Sequence, residues 1–158
     1  MSTLEAALAE HPFFRGFDSD YLHDIVHSAV FVHYDSDACI FHEGEQATHF
    51  YLLNQGQVGL ETFTADRGEI AIETIEAGEV LGWSWLFPPY RWHFSARVIK
   101  PVQAIALDAA DLRKMCEEDH TFGYELVRWV AHIITQRLQA TRLQLLDVYR
   151  VRMYERRS

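Results

Sequence analysis

The stretch Phe50-Tyr51-Leu52-Leu53-Asn54-Gln55-Gly56-Gln57-Val58-Gly59-Leu60 decides the fold class, because two short apolar runs flank a glycine. Runs of this length suit strands rather than helices, and the glycine between them predicts a turn. The texture extends outward from Val30 to about Leu107, with Ile70-Ala71-Ile72 as a further example. Glycine-bearing turns at Gly44, Gly56, Gly68 and Gly78 are spaced by 12, 12 and 10 residues. That spacing predicts many short antiparallel strands closed into a β-roll of the jelly-roll or double-stranded β-helix kind.

Both flanks read as helical, which makes the chain α+β. Leu4, Ala7 and Leu8 recur at helical spacing, Pro12 breaks the pattern, and Asp18-Ser19-Asp20 offers a cap for a helix over Tyr21 to Ala29. After Leu107 a helix is expected over Ala109 to Glu117, then a long one from about Phe122 to Arg152. Within the long helix Val127, Ala131, Ile134, Leu138, Thr141, Leu145 and Val148 alternate steps of four and three, the seam of a coiled coil. A helix of about 30 residues extends roughly 45 Å, beyond what a small roll covers. Its distal half is therefore expected to pair with a second copy, since Leu143, Leu146 and Tyr149 would otherwise be left wet beside the seam. The expected organisation is a single domain over 1–158: N-terminal helices 1–30, β-roll 31–108, C-terminal helices 109–152 and a tail 153–158.

Composition excludes several classes. At 49% apolar and 23% charged, 158 residues fit one ordinary domain that needs no metal or disulfide to hold a core. A net charge of −9 repels phosphate backbones and anionic membranes, so general nucleic-acid binding is not expected. Residues 150–158 run against the trend with four arginines and one glutamate, the pattern of a solvated helix end. No apolar run is long enough to span a membrane, and Met1-Ser2-Thr3-Leu4-Glu5 lacks the features of a secretory signal. Cys39 and Cys116 show no metal spacing and read as two buried thiols, which places the chain in the cytoplasm.

Helices, then a glycine-punctuated roll, then a long dimer helix is the order of cyclic-nucleotide-binding domains, and four segments resemble that family. Ile40-Phe41-His42-Glu43-Gly44-Glu45 with Phe50 to Val58 resembles its glycine turn and next hairpin. Gly78-Glu79-Val80-Leu81-Gly82 resembles the start of its phosphate-binding cassette, and Ser95-Ala96-Arg97-Val98 the cassette's end. Arg137-Leu138-Gln139-Ala140-Thr141 is similar to the stretch of catabolite activator proteins that lies over the bound base. The resemblance spans most of residues 10 to 150 and implies a ligand pocket made by Gly82, Trp83, Ser84, Trp85, Arg91, Phe94, Ser95, Ala96, Thr141 and Arg142.

Two of these positions depart from the family. Ligand-binding members carry a glutamate after the cassette glycine, for the ribose 2′-hydroxyl, and an arginine two residues before the alanine, for the cyclic phosphate. Here these positions hold Trp83 and Phe94. A guanidinium gives the phosphate a charge-assisted fork, and without it burial of the anion costs several kcal/mol. Weak or absent binding of cyclic AMP and cyclic GMP is the expectation. Trp83, Trp85 and Trp92, three of the four tryptophans, fall within ten residues together with Phe87, Tyr90 and Phe94. Such density predicts either an apolar plug or a pocket for a flat apolar ligand.

Substitute cations are few. Arg97 alternates to the strand face opposite Phe94, Arg91 follows Pro88-Pro89-Tyr90 on a stiffened loop, and His93 reads as a surface histidine. Compensation by Arg91 or by backbone amides at Gly82 would leave a genuine nucleotide receptor, and a ligand-free dimerisation scaffold is the third reading. Thr141 suits either seam packing or contact with a base.

Other chemistry is sparse. His23 and His27 have the spacing of two metal ligands on one helix face but lack a third, and His42-Glu43 falls short of the ligand set that cupin enzymes place on a similar roll. No nucleophile elbow, phosphate loop or dinucleotide fingerprint occurs, so neither an enzyme, a metal site nor a cofactor is expected. About ten residues follow Val148, where DNA-reading relatives continue into a helix-turn-helix, so this chain alone is not expected to bind DNA. The reading is a cytoplasmic, homodimeric sensor or regulatory module, with a small-molecule ligand and a protein partner both left open.

Overall fold

In a computed structural model the backbone is described for residues 3–157 and the side chains for residues 3–156. Met1, Ser2 and Ser158, at the ends of the expected helical segment and tail, lie outside the described residues. Four α-helices and five β-strands follow one another as α1 (Thr3–Glu10), α2 (Ser19–Ile25), β1 (Ala29–Tyr34), β2 (Cys39–Phe41), β3 (His49–Thr64), β4 (Gly68–Glu76), β5 (Ser95–Asp108), α3 (Ala109–Glu118) and α4 (His120–Arg157). The α+β order is the one expected. Helix α2 begins and ends earlier than expected: the Asp18 carboxylate accepts from the Asp20 amide at 2.9 Å, and Ala29 already belongs to the sheet. Asp108 caps α3 in the same way through the Asp111 amide.

The strands run antiparallel in the order β1-β5-β3-β4, with β2 added on β5. Two of them are longer than the sequence pattern suggests. Gly56 does not end a strand, because β3 passes straight through it while its register with β5 slips on either side. A bulge needs the same left-handed backbone as a turn, and Gly56 supplies it at φ 98°. A Cβ there would lie 2.3 Å from the Pro101 carbonyl oxygen. Gly56→Ala is therefore expected to destabilise the fold by about 1–3 kcal/mol, seen as a lower urea midpoint with an unchanged slope.

Bending folds the sheet around a core in which Leu8, Phe14, Ile25, Phe50, Leu52, Leu60, Ile75, Trp85, Ile105 and Phe122 are fully buried. The N-terminal elements close one end. Buried His11 holds them there, its Nδ1 accepting from the Phe13 amide at 3.1 Å and its Nε2 donating to the Leu53 carbonyl at 3.1 Å. Burial lowers its pKa below the ordinary 6.5. The unfolded chain then binds a proton that the folded chain refuses, so this stabilisation is complete above pH 6.5 and fades as pH falls toward the folded pKa. Urea titrations from pH 7.5 to 5 should show that decline, and His11→Gln should flatten it.

Helix α4 spans 38 residues, about 57 Å, and runs on through residues 153–157, which were expected as a separate tail. Phe122, Leu126, Val130, Ile133 and Arg137 form the row that packs on the roll. The expected seam lies on another face, with Val127 43% and Leu138 57% exposed. From Leu138 to Arg156 every side chain is exposed.

Candidate functional site

The segment between Gly78 and Ala96 links β4 to β5 and is held at both ends by backbone hydrogen bonds. Gly78 donates to the Leu53 carbonyl at 2.8 Å, and the Leu81 amide to the Tyr51 carbonyl at 3.1 Å. On the returning limb Trp92 pairs with the Gly44–Glu45 turn, Gly44 N donating to Trp92 O at 2.8 Å and Trp92 N to Glu45 O at 2.9 Å. Arg91 donates from its guanidinium to the Gly44 carbonyl at 2.9 Å. The arginine that sequence left as a substitute cation is thus fixed on the loop beside it. Arg97 is fixed too, by Glu61 at 3.3 Å and Glu69 at 3.2 Å on the outer face.

The six aromatic residues of this segment do not form one cluster. Trp92 is 3% exposed and stacks on Phe41 with centroids 3.8 Å apart and planes 8° from parallel. Phe94 stands beside both rings, at 5.9 Å from Phe41 and 6.1 Å from Trp92. Both Trp92 and Phe94 reach Gly82: a Cβ on that glycine would meet Phe94 Cζ at 3.0 Å and Trp92 Cζ3 at 3.3 Å. Trp85 instead belongs to the core, fully buried against Phe50 at 4.8 Å with its indole nitrogen unpartnered. Tyr90 lies under the Arg113 guanidinium at 4.2 Å, and Phe87 faces solvent. Proximity in sequence had grouped side chains that a looping segment sends in different directions.

Trp83 marks a contact that sequence reasoning missed. The Arg137 guanidinium lies over its ring at 5.0 Å, pairs with Glu73 at 3.4 Å and donates to the Val80 carbonyl at 2.5 Å. One side chain of α4 thereby grips β4 and the cassette together. Burial lowers the Arg137 pKa and raises that of Glu73, so loss of water outweighs their mutual attraction on both sides of the pair. The available signal was position 137 in the packed row of α4, which the adjacent seam pattern obscured.

The remaining expected site residues are spread out. Ser95 is buried and its hydroxyl accepts from the Glu43 amide at 2.9 Å, Ala96 is buried, and Ser84 is half-buried. Thr141 and Arg142 are exposed on the projecting helix, the Thr141 hydroxyl donating to the Arg137 carbonyl at 2.9 Å. They do not meet the cassette within one chain. His93 is exposed.

The family model for the cyclic nucleotide-binding domain matches residues 31–119, from β1 through α3. The chain belongs to the cyclic nucleotide-binding domain family. This cyclic nucleotide-binding domain superposes on a protein described as cyclic nucleotide-binding from Geobacter metallireducens GS-15 with a TM-score of 0.76. The two are 29% identical, over 87% of this chain and 99% of that one. A cyclic nucleotide-binding domain from Methylobacillus flagellatus KT gives 0.78 at 15% identity, covering 90% and 82% of the two chains. The sensor domain of the transcriptional regulator DNR from Pseudomonas aeruginosa gives 0.69 at 19%, covering 85% and 91%. At those identities the last two share the fold alone. Comparison with curated proteins gives no match.

The cyclic nucleotide-binding domain is thus a regulatory sensor fold, and among its described residues no helix is long and apolar enough to cross a membrane. Its cysteines are half-buried rather than buried and are not joined, and burial pushes the Cys116 thiol up to about 11. His23 and His27 lie 6.0 Å apart with His23 beside Glu5, and among the described residues no three His, Cys, Asp or Glu side chains are set to hold a metal.

Proposed function

We propose that this domain is a homodimeric regulatory module, not an enzyme, whose phosphate cradle is closed by aromatic rings, so that cyclic AMP and cyclic GMP bind weakly or not at all. The observation that carries this reading is that Phe94 and Trp92 fill the space beside Gly82, where a Cβ would meet both rings and where the family brings its phosphate. An anion entering there would have to displace two rings and would find no free guanidinium, because Arg91 and Arg97 are held elsewhere. The plug is favoured over an open slot for a flat ligand by the tight Phe41–Trp92 stack.

Dimerisation rests on the exposed row from Leu138 to Val148, with Leu143, Leu146 and Tyr149 beside it. Regulation in this reading works by population shift: any change in the cassette reaches α4 through Trp83 and Arg137, and α4 passes it to a partner. The test is thermal unfolding with each nucleotide at about 1 mM. A ligand at about 100 times its Kd adds about 2.7 kcal/mol and raises Tm by several degrees. We expect no such rise, and a clear one would overturn the proposal.

A further inference from the structure

Apart from the Gly82–Phe94 contact, a cavity of about 430 Å³ lies at the point where α4 leaves the roll, bordered by the first residues of the cassette. Its size falls within the range of small-molecule sites. Phe13, Val80, Trp129 and Ile133 form apolar walls contributed by the N-terminal turn, the cassette limb and α4. Its polar side chains are Glu73, Glu79, His132, Gln136 and Arg137, so its carboxylates outnumber its guanidinium. Glu73 and Glu79 both line it against the one guanidinium of Arg137, which already binds Glu73, the Val80 carbonyl and the face of Trp83.

We infer that this cavity is a second ligand site, selective for a mostly apolar small molecule that carries a cationic nitrogen. An anion would meet two carboxylates and a guanidinium already engaged by Glu73, the Val80 carbonyl and the Trp83 ring. A cation would meet the Glu79 carboxylate, which holds one protein donor, the Glu76 amide at 3.1 Å, and the electron-rich face of Trp129. Burial raises the Glu73 pKa despite Arg137, so that carboxylate also gains from a further positive charge. This selectivity is opposite in sign to that of a phosphate cradle.

The position gives the site a means of acting. Trp129, Ile133, Gln136 and Ala140 form a row on α4 turned by roughly 160° from the row of Leu138 and Leu145. A ligand in the cavity therefore leaves the seam face open while bracing the helix against Phe13 and Val80. Beyond Arg137 the helix has no support from its own roll, so the brace sits at the base of the projecting arm.

Calorimetric titration of the whole domain with tryptamine and indole-3-acetate, which share a ring and differ in charge, tests the inference. Tryptamine is expected to bind at least about tenfold more tightly than indole-3-acetate. Glu79→Gln, whose amide oxygen still accepts from Glu76, should remove about tenfold of the tryptamine affinity with Tm unchanged. Ala140→Phe, on the exposed side of the helix, should abolish binding by filling the space. Equal affinities, preference for indole-3-acetate, no tryptamine binding up to about 10 mM, or binding indifferent to Ala140→Phe would each overturn the inference. The outcome is separate from that of the cradle, because Gly82, Trp92 and Phe94 do not line this cavity and neither Glu79 nor Ala140 takes part in their contact.

Discussion

Replacing Trp83 by glutamate and Phe94 by arginine is expected to raise affinity for cyclic AMP by about 100-fold over the unaltered protein. The gain has two sources. Removal of the Phe94 ring, which stands 3.0 Å from where a Cβ on Gly82 would lie, clears the space beside that glycine so that backbone amides are open to an oxyanion. The new guanidinium then supplies a charge-assisted pair to the phosphate, worth about 3 kcal/mol in a partly dry pocket. The partner change at position 83 keeps the charges in balance. A glutamate there stands beside Arg137, which now lies over the indole at 5.0 Å, and exchanges a cation–π contact for an ion pair. Phe94→Arg alone should recover less, since its charge would enter without the carboxylate. Calorimetry on the three proteins decides the matter, and equal affinities throughout would remove the substitution argument.

The second large effect concerns association. Leu138→Glu with Leu145→Glu should convert a dimer into a monomer, weakening self-association by about a thousandfold or more. In one chain these leucines are 57% and 63% exposed, on a row that the roll does not cover. Pairing would bury them with Leu143, Leu146 and Tyr149, and acidic side chains would both forfeit that burial and repel across the seam. Sedimentation equilibrium gives the constant directly. A parent protein that is monomeric at micromolar concentration, or a variant that dimerises as tightly as the parent, would exclude the projecting helix as the interface.

Much of the fold was legible because its punctuation is local chemistry. Gly44, Gly68 and Gly78 all adopt positive φ where a turn was read, and Asp18 and Asp108 cap the helices they precede. Gly56 was misread as a turn because the chain requires the same conformation for a bulge inside a long bent strand. For the candidate site, the spacing of the aromatic residues did not give the direction of each side chain. Phe94 and Trp92 reach Gly82, yet Trp85, Tyr90 and Phe87 leave for the core, Arg113 and solvent, and nothing in their spacing encodes a loop's path. Arg137 was passed over because its row on α4 runs next to a stronger apolar one. The cavity between Phe13, Val80 and Trp129 joins segments far apart in sequence, so no window of residues could announce it.

The most direct measurement follows the Gly82 amide in a nitrogen–proton correlation spectrum as cyclic AMP is added to about 5 mM, well above the range of a functional receptor. With Phe94 and Trp92 closed over the cradle, the Gly82 amide and the Trp92 indole signals should hold their positions throughout. A saturable shift of the Gly82 amide together with the Trp92 indole would show the rings opening to admit the phosphate, and would contradict the closed cradle.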